Sequence, residues 1–159
     1  MITQNKSKLR FLGQLFGALG VIASLAFLAL EIRQNTEAVK SSTIHALSDQ
    51  GSNLTAMIML NDDLLKAFRA SRDEEELSAK QDYRLRMWYA TALRVQKNRF
   101  LQTQLGFLDL ETALFIGGNS RVYRRPHFAE FWDDAKVNEQ QEFVEYMETY
   151  VMQQLSVSE

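Results

Sequence analysis

The chain has 159 residues, a net charge of −2, no cysteine and a single proline. That length is one domain's worth with room for an appendage. The charge supplies no global basic field for nucleic acid, and the lack of thiols excludes disulfides, thiolate metal sites and cysteine nucleophiles.

The first ten residues form a basic tail carrying Lys6, Lys8 and Arg10. Residues 11–30, FLGQLFGALGVIASLAFLAL, then run without a charge until Glu31. Twenty helical residues rise roughly 30 Å, the thickness of a bilayer's hydrocarbon core. Eleven of the twenty are Phe, Leu, Ile or Val, and only Gln14 and Ser24 are polar. A core helix of a soluble domain would show a polar face. A cleaved signal would need a cleavage site, and the best one, Ser24-Leu25-Ala26, leaves a mature start of Phe-Leu-Ala-Leu. The expectation is an uncleaved transmembrane helix over 11–30. Three Lys/Arg precede it and two (Arg33, Lys40) follow closely, so the positive-inside rule sets the N-terminus in the cytoplasm and the rest outside.

Within this segment Gly13, Gly17, Gly20 and Ser24 follow steps of 4, 3 and 4 and share one helix face. Such a face lets a second transmembrane helix approach to backbone contact. It predicts association with another membrane protein, or with a second copy, as well as contact with membrane lipid.

Residues 31–159 predict an α-helical domain. No proline interrupts the helix after Glu31, and apolar residues recur at Ile32, Val39, Leu47, Leu54 and Ile58, as on one stripe of a stalk helix ending near Leu60. Gly51 is its weak point. Asn61 or Asp62 caps a short helix, followed by a polar loop around Glu74-Glu75-Glu76. Ser78-Ala79-Lys80-Gln81 is a capping box that starts a helix ending at Gly106. The apolar residues of that helix (Tyr83, Leu85, Met87, Trp88, Leu93, Val95, Phe100, Leu101) point nearly all round, as in the central helix of a bundle. Asp109 opens a short helix closed by Gly117-Gly118, and Pro126 begins another. Asn138 and Gln141 start the last helix, with Phe143, Met147, Tyr150, Val151 and Leu155 on one face. No run alternates as a strand, so the fold class is all-α: a transmembrane helix continuing into a stalk that packs in a small helical bundle.

Three pieces taken together carry a likeness: the apolar segment running into EIRQNTEAV, then KNRFLQTQLGFLD, then FAEFWDDAKVNEQQEFVEYME. The combination resembles a family of small bacterial proteins of unknown function with one N-terminal span and a helical domain. The resemblance implies membrane attachment and a bacterial source, hence the bacterial inner membrane. It brings no catalytic residue, because the family has no assigned activity.

Chemistry is sparse. The core-facing Glu-x-x-His pairs of a di-iron bundle do not occur, and His127 with Glu130 is the reversed spacing, found once. No zinc motif, phosphate loop or nucleophile context stands out. The expectation is therefore no catalytic residue, no metal and no cofactor. The most suggestive polar stretch is SRVYRRPHF, where Arg121, Arg124 and Arg125 gather around Tyr123 beside His127. Arginine forks bind carboxylates and phosphates, so this is a candidate docking patch; the plainer reading has these arginines capping a helix or pairing with Asp133 or Glu139. Two functions fit: a membrane-anchored, non-catalytic interaction or accessory subunit, or an anchored sensor whose pocket between helices is lined by Trp88, Tyr89, Phe100 and Trp132.

Overall fold

A computed structural model describes residues 2–117 and 120–153, with side chains for 13–117 and 121–153. The side chains of Lys6, Lys8 and Arg10, Gly118 as a helix stop, and Leu155 on the last helix lie outside the described residues. Every regular element among the described residues is helical: α1 (Ile2–Met59), α2 (Asp62–Arg72), α3 (Ala79–Gln104), α4 (Leu110–Phe115), a 3-10 turn (Ser120–Arg124), α5 (Pro126–Ala135), a second 3-10 turn (Lys136–Asn138), and α6 (Gln141–Tyr146) continuing as a π turn (Met147–Val151). The chain divides into two compact units, Met1–Ser41 and Ser42–Glu159.

The first unit is a single stretch of helix. Its described large apolar side chains (Leu15, Phe16, Leu19, Val21, Ile22, Leu25, Phe27, Leu28 and Leu30) are all exposed. Burying one such side chain is worth about 1.5–3 kcal/mol, so this helix in water would forgo on the order of 10 kcal/mol. It is long and apolar enough to cross a membrane.

The second unit begins with the last turns of α1. The apolar stripe expected of a stalk is used only here: Leu47 and Leu54 are buried, whereas Ile32 and Val39, in the first unit, are exposed. Asn61 closes the turn, its side chain accepting from the Leu64 amide, and opens α2. After α2 the chain turns through Glu74 at φ 56°, with the Glu75 amide on the Ala70 carbonyl, a Schellman closure with glutamate where glycine is usual. Ser78 and Gln81 form the reciprocal capping box that starts α3.

α3 is the hub on which α2, α4, α5 and α6 pack. Its buried residues, Leu85, Trp88, Tyr89, Ala92, Leu93, Gln96, Arg99 and Phe100, recur every three or four positions and make one face. The expectation of an apolar surface all round is corrected: Tyr83, Met87 and Leu101 are exposed, while two polar residues, Gln96 and Arg99, complete the buried face. The main core joins this face to Phe128 and Trp132 of α5 and to Phe143, Tyr146 and Met147. A smaller cluster sets Leu47 against Leu108 and Ala113.

The last helix begins later than its capping pattern implied. Asn138 ends a 3-10 turn, and Gln140 occupies the N-cap of α6. The wide π turn also shifts the phase of its end, keeping Met147 and Val151 buried but leaving Tyr150 42% exposed.

Candidate functional site: an arginine-walled cavity

Within the second unit a cavity of about 220 Å³ opens between the end of α1, α2, α3 and the segment joining α4 to α5. Its apolar wall comes from Leu54, Ile58, Phe68, Trp88 and Val122, and its polar groups are Thr55, Tyr123, Arg99 and Arg125. Among the described residues no carboxylate lines it.

Each wall residue is fixed by ordinary helix geometry. Leu54 and Ile58 are one turn apart on α1. Trp88 donates its indole N–H to the Leu54 carbonyl at 3.1 Å, tying α3 to α1, and meets the Phe68 ring edge-on at 4.6 Å. Arg99 lies eleven residues after Trp88, close to three full turns, and so returns to the same side of α3.

Arg99 is the unusual component, a guanidinium only 1% exposed. Its Nη2 donates to the Ile116 carbonyl at 2.9 Å and its Nη1 to the Gly117 carbonyl at 3.2 Å. These are carbonyls at the end of α4, where a cation meets their partial negative charge. Gly51 makes room for it: a Cβ there would sit 3.2 Å from Nη2. The Arg99 Nε–H has no acceptor among the described residues. Burial lowers the Arg99 pKa below its usual value, yet an arginine stays protonated in practice. Neither Arg99 nor Arg125 has an ion pair among the described residues.

Arg125 forms the second basic element. Its Nη1 donates to the Phe68 carbonyl at 3.1 Å, and the guanidinium lies over the Phe68 ring, 5.3 Å from its centre. Burial again lowers its pKa first; Asp73 acts the other way but is held by two hydrogen bonds from Arg72. Gln96 completes the arrangement, donating to the Gly117 carbonyl at 3.3 Å and to the Tyr123 hydroxyl at 3.0 Å. Burial raises the Tyr123 pKa, so the phenol remains a neutral hydroxyl.

The five residues of the expected docking patch are thus divided. Tyr123, 3% exposed, is a core residue and gives no surface contact, because its ring packs edge-on to Phe128. Arg125 is half-buried in the cavity wall, Arg121 and Arg124 are exposed, and His127 is half-buried. Of the acids suggested as their partners, Asp133 pairs with Lys136 and Glu139 with Lys97. Of the four aromatics expected to line a pocket, Trp88 does so, while Tyr89, Phe100 and Trp132 are packed in the core. Arg99 and Gln96 were missed; the available signal was a polar pair at positions 96 and 99 continuing the stripe 85, 89, 92.

A second hollow of about 280 Å³ lies between α3 and α5, lined by Leu93, Phe131 and Ala135 with Arg94, Lys97 and Glu139. Unlike the arginine-walled cavity it has a carboxylate in its wall, Glu139, which pairs with Lys97.

In the first unit, a Cβ at Gly13, Gly17 or Gly20 would meet nothing within 4 Å. Ser24 returns its hydroxyl to the Gly20 carbonyl at 2.9 Å, which satisfies that donor within the helix as a lipid setting requires.

No protein-family model, curated protein or solved structure matches the chain.

Proposed function

We propose that this is a single-pass, membrane-anchored, non-catalytic binding protein whose helical unit takes a small molecule in the arginine-walled cavity. The observation that carries the reading is the cavity itself: an apolar wall with a few convergent polar groups is the usual composition of a small-ligand site. The exposed apolar helix supports the anchor, the charge balance around it favours a cytoplasmic N-terminus, and the resemblance to small bacterial single-span proteins favours a bacterial inner membrane. The test uses the full chain in lipid nanodiscs, screened against a fragment set by ligand-observed NMR, with empty nanodiscs as blank. Thr55, exposed on the cavity wall, is replaced in a Thr55→Trp control that fills the space. Hits lost in the control support the reading; no hits, or hits equal in both proteins, overturn it.

The role of interaction or accessory subunit is a second reading, favoured by the open small-residue face of Gly13, Gly17, Gly20 and Ser24. It accounts for association in the membrane rather than for the cavity. Cross-linking in the same nanodiscs that yields only uncross-linked monomer, unchanged in Gly17→Leu, would refute self-association.

A further inference from the structure

We infer that the cavity selects a small organic carboxylate, an anionic head on an apolar body of about five to seven carbons, with Arg99 and Arg125 recognising the head. This rests on the ligand-binding reading above and deepens it.

Charge comes first. Two guanidiniums line the cavity, and among the described residues no acid lines it and neither cation is ion-paired. A buried cation is costly unless an opposite charge or good acceptors accompany it. The Ile116 and Gly117 carbonyls meet part of this need for Arg99, but a helix end offers about half an elementary charge, and α4 is only six residues long. The remaining positive potential favours an anion.

The wall and the donors together narrow the head group. Two of the five N–H groups of Arg99 hold backbone carbonyls, and Nε–H has no acceptor among the described residues. Arg125 has spent one donor on the Phe68 carbonyl. A planar carboxylate meets a guanidinium fork with its two oxygens, whereas a phosphate dianion would set a further oxygen against the apolar side chains of the wall. The apolar wall asks for a hydrocarbon body beside that head. An apolar cavity of about 150 Å³ admits benzene, so about 220 Å³ fits benzoate, phenylacetate or hexanoate.

The experiment titrates the full chain in nanodiscs with benzoate, phenylacetate and hexanoate. The same titration is run with their neutral amides, with inorganic phosphate, and with Arg125→Gln, Arg99→Lys and Thr55→Trp. Expected is tenfold or greater preference for an acid over its amide, a five- to twentyfold loss for the acid alone in Arg125→Gln, and loss of both in Thr55→Trp. Arg99→Lys keeps the charge but not the fork, so it weakens the acid several-fold. Should Arg99→Lys fail to fold, Arg125→Gln decides, because Arg125 is half-buried and lies outside the α4 contact. Equal binding of acid and amide overturns the carboxylate assignment while leaving a ligand site standing. Phosphate competing as well as hexanoate overturns it too. If no probe binds, the carboxylate assignment falls, and the fragment screen decides the ligand-binding reading.

Discussion

Gly51 and Arg99 give the sharpest test of the site's construction. Helix propensity alone says that Gly51→Ala should stabilise α1 by about 1 kcal/mol. The structure reverses that sign. The new methyl would sit 3.2 Å from the Arg99 Nη2, which must retreat by a few tenths of an ångström. Nη2 also holds the Ile116 carbonyl at 2.9 Å, and the guanidinium is pinned a second time by Gly117. A hydrogen bond to a charged group is worth about 1.5–3 kcal/mol. Loss of most of one such bond, about 1.5–2 kcal/mol, outweighs the propensity gain of about 1 kcal/mol, so Gly51→Ala should destabilise by about 0.5–1 kcal/mol. In an Arg99→Met background, where a flexible unbranched chain replaces the pinned fork, the same change should stabilise by about 0.5–1 kcal/mol. The two backgrounds then differ by about 1–2 kcal/mol, a coupling that a double-mutant cycle resolves. Urea unfolding of the full chain in a mild detergent, followed by the fluorescence of Trp88 and Trp132, supplies the four stabilities. Equal effects of Gly51→Ala in both backgrounds would show that the guanidinium is not held against α1.

Two further outcomes follow from the backbone and from the buried phenols. Glu74 and Gly106 both occupy left-handed positions just after helices, at φ 56° and 74°, so Glu74→Gly should stabilise by about 0.5–1 kcal/mol and Gly106→Ala should destabilise by about 1 kcal/mol; nothing lies within 4 Å of a Cβ at Gly106, so equal stability in that variant would refute the backbone argument. Burial pushes the Tyr146 pKa up to about 12 and raises those of Tyr89 and Tyr123. Between the ordinary tyrosine pKa of about 10 and that of Tyr146 the folded chain binds more protons than the unfolded one, so stability, complete below pH ~10, falls as pH rises through this window. Tyr146→Phe should make the fall shallower, and an identical slope in unfolding curves across that range would exclude Tyr146 as its source.

Local signals told most about the helices because their causes are local. Asn61, the Ser78–Gln81 box, Asp109, Gly106 and Pro126 each act over three or four residues, and each marks a boundary as its chemistry requires. Asn138 misled because nothing local distinguishes a cap from the end of a 3-10 turn; the choice is made by how α6 seats Phe143 and Met147 in the core. The apolar residues of α3 were counted without their polar partners. Tyr83 and Met87 are apolar yet exposed, whereas Gln96 and Arg99 are polar yet buried, and only a tertiary neighbour settles that difference. For Arg99 the neighbour is the end of α4, seventeen residues further along the chain. The cavity was illegible for the same reason: its walls come from α1, α2, α3 and the segment before α5, so no sequence window contains it. The stretch SRVYRRPHF suggests arginine forks beside a tyrosine on a surface; the structure buries Tyr123 in the core and half-buries Arg125 in the cavity wall, which only the packing of α2 and α5 decides.

Arg99 belongs to both the fold and the cavity, and this governs how any loss of binding must be interpreted. The guanidinium that holds the end of α4 also lines the proposed site, so a large change at position 99 disturbs the Ile116 and Gly117 carbonyls before any ligand is considered. Arg125 separates the two effects. It touches α2 through the Phe68 carbonyl and ring, takes no part in the α4 contact, and is only half-buried. Its replacement by glutamine removes charge from the wall while leaving the strut intact. If the cavity existed only because Arg99 is a strut, Arg125 would have no reason to discriminate between an acid and its amide. Discrimination at Arg125 therefore reports on binding, and stability at Arg99 reports on folding.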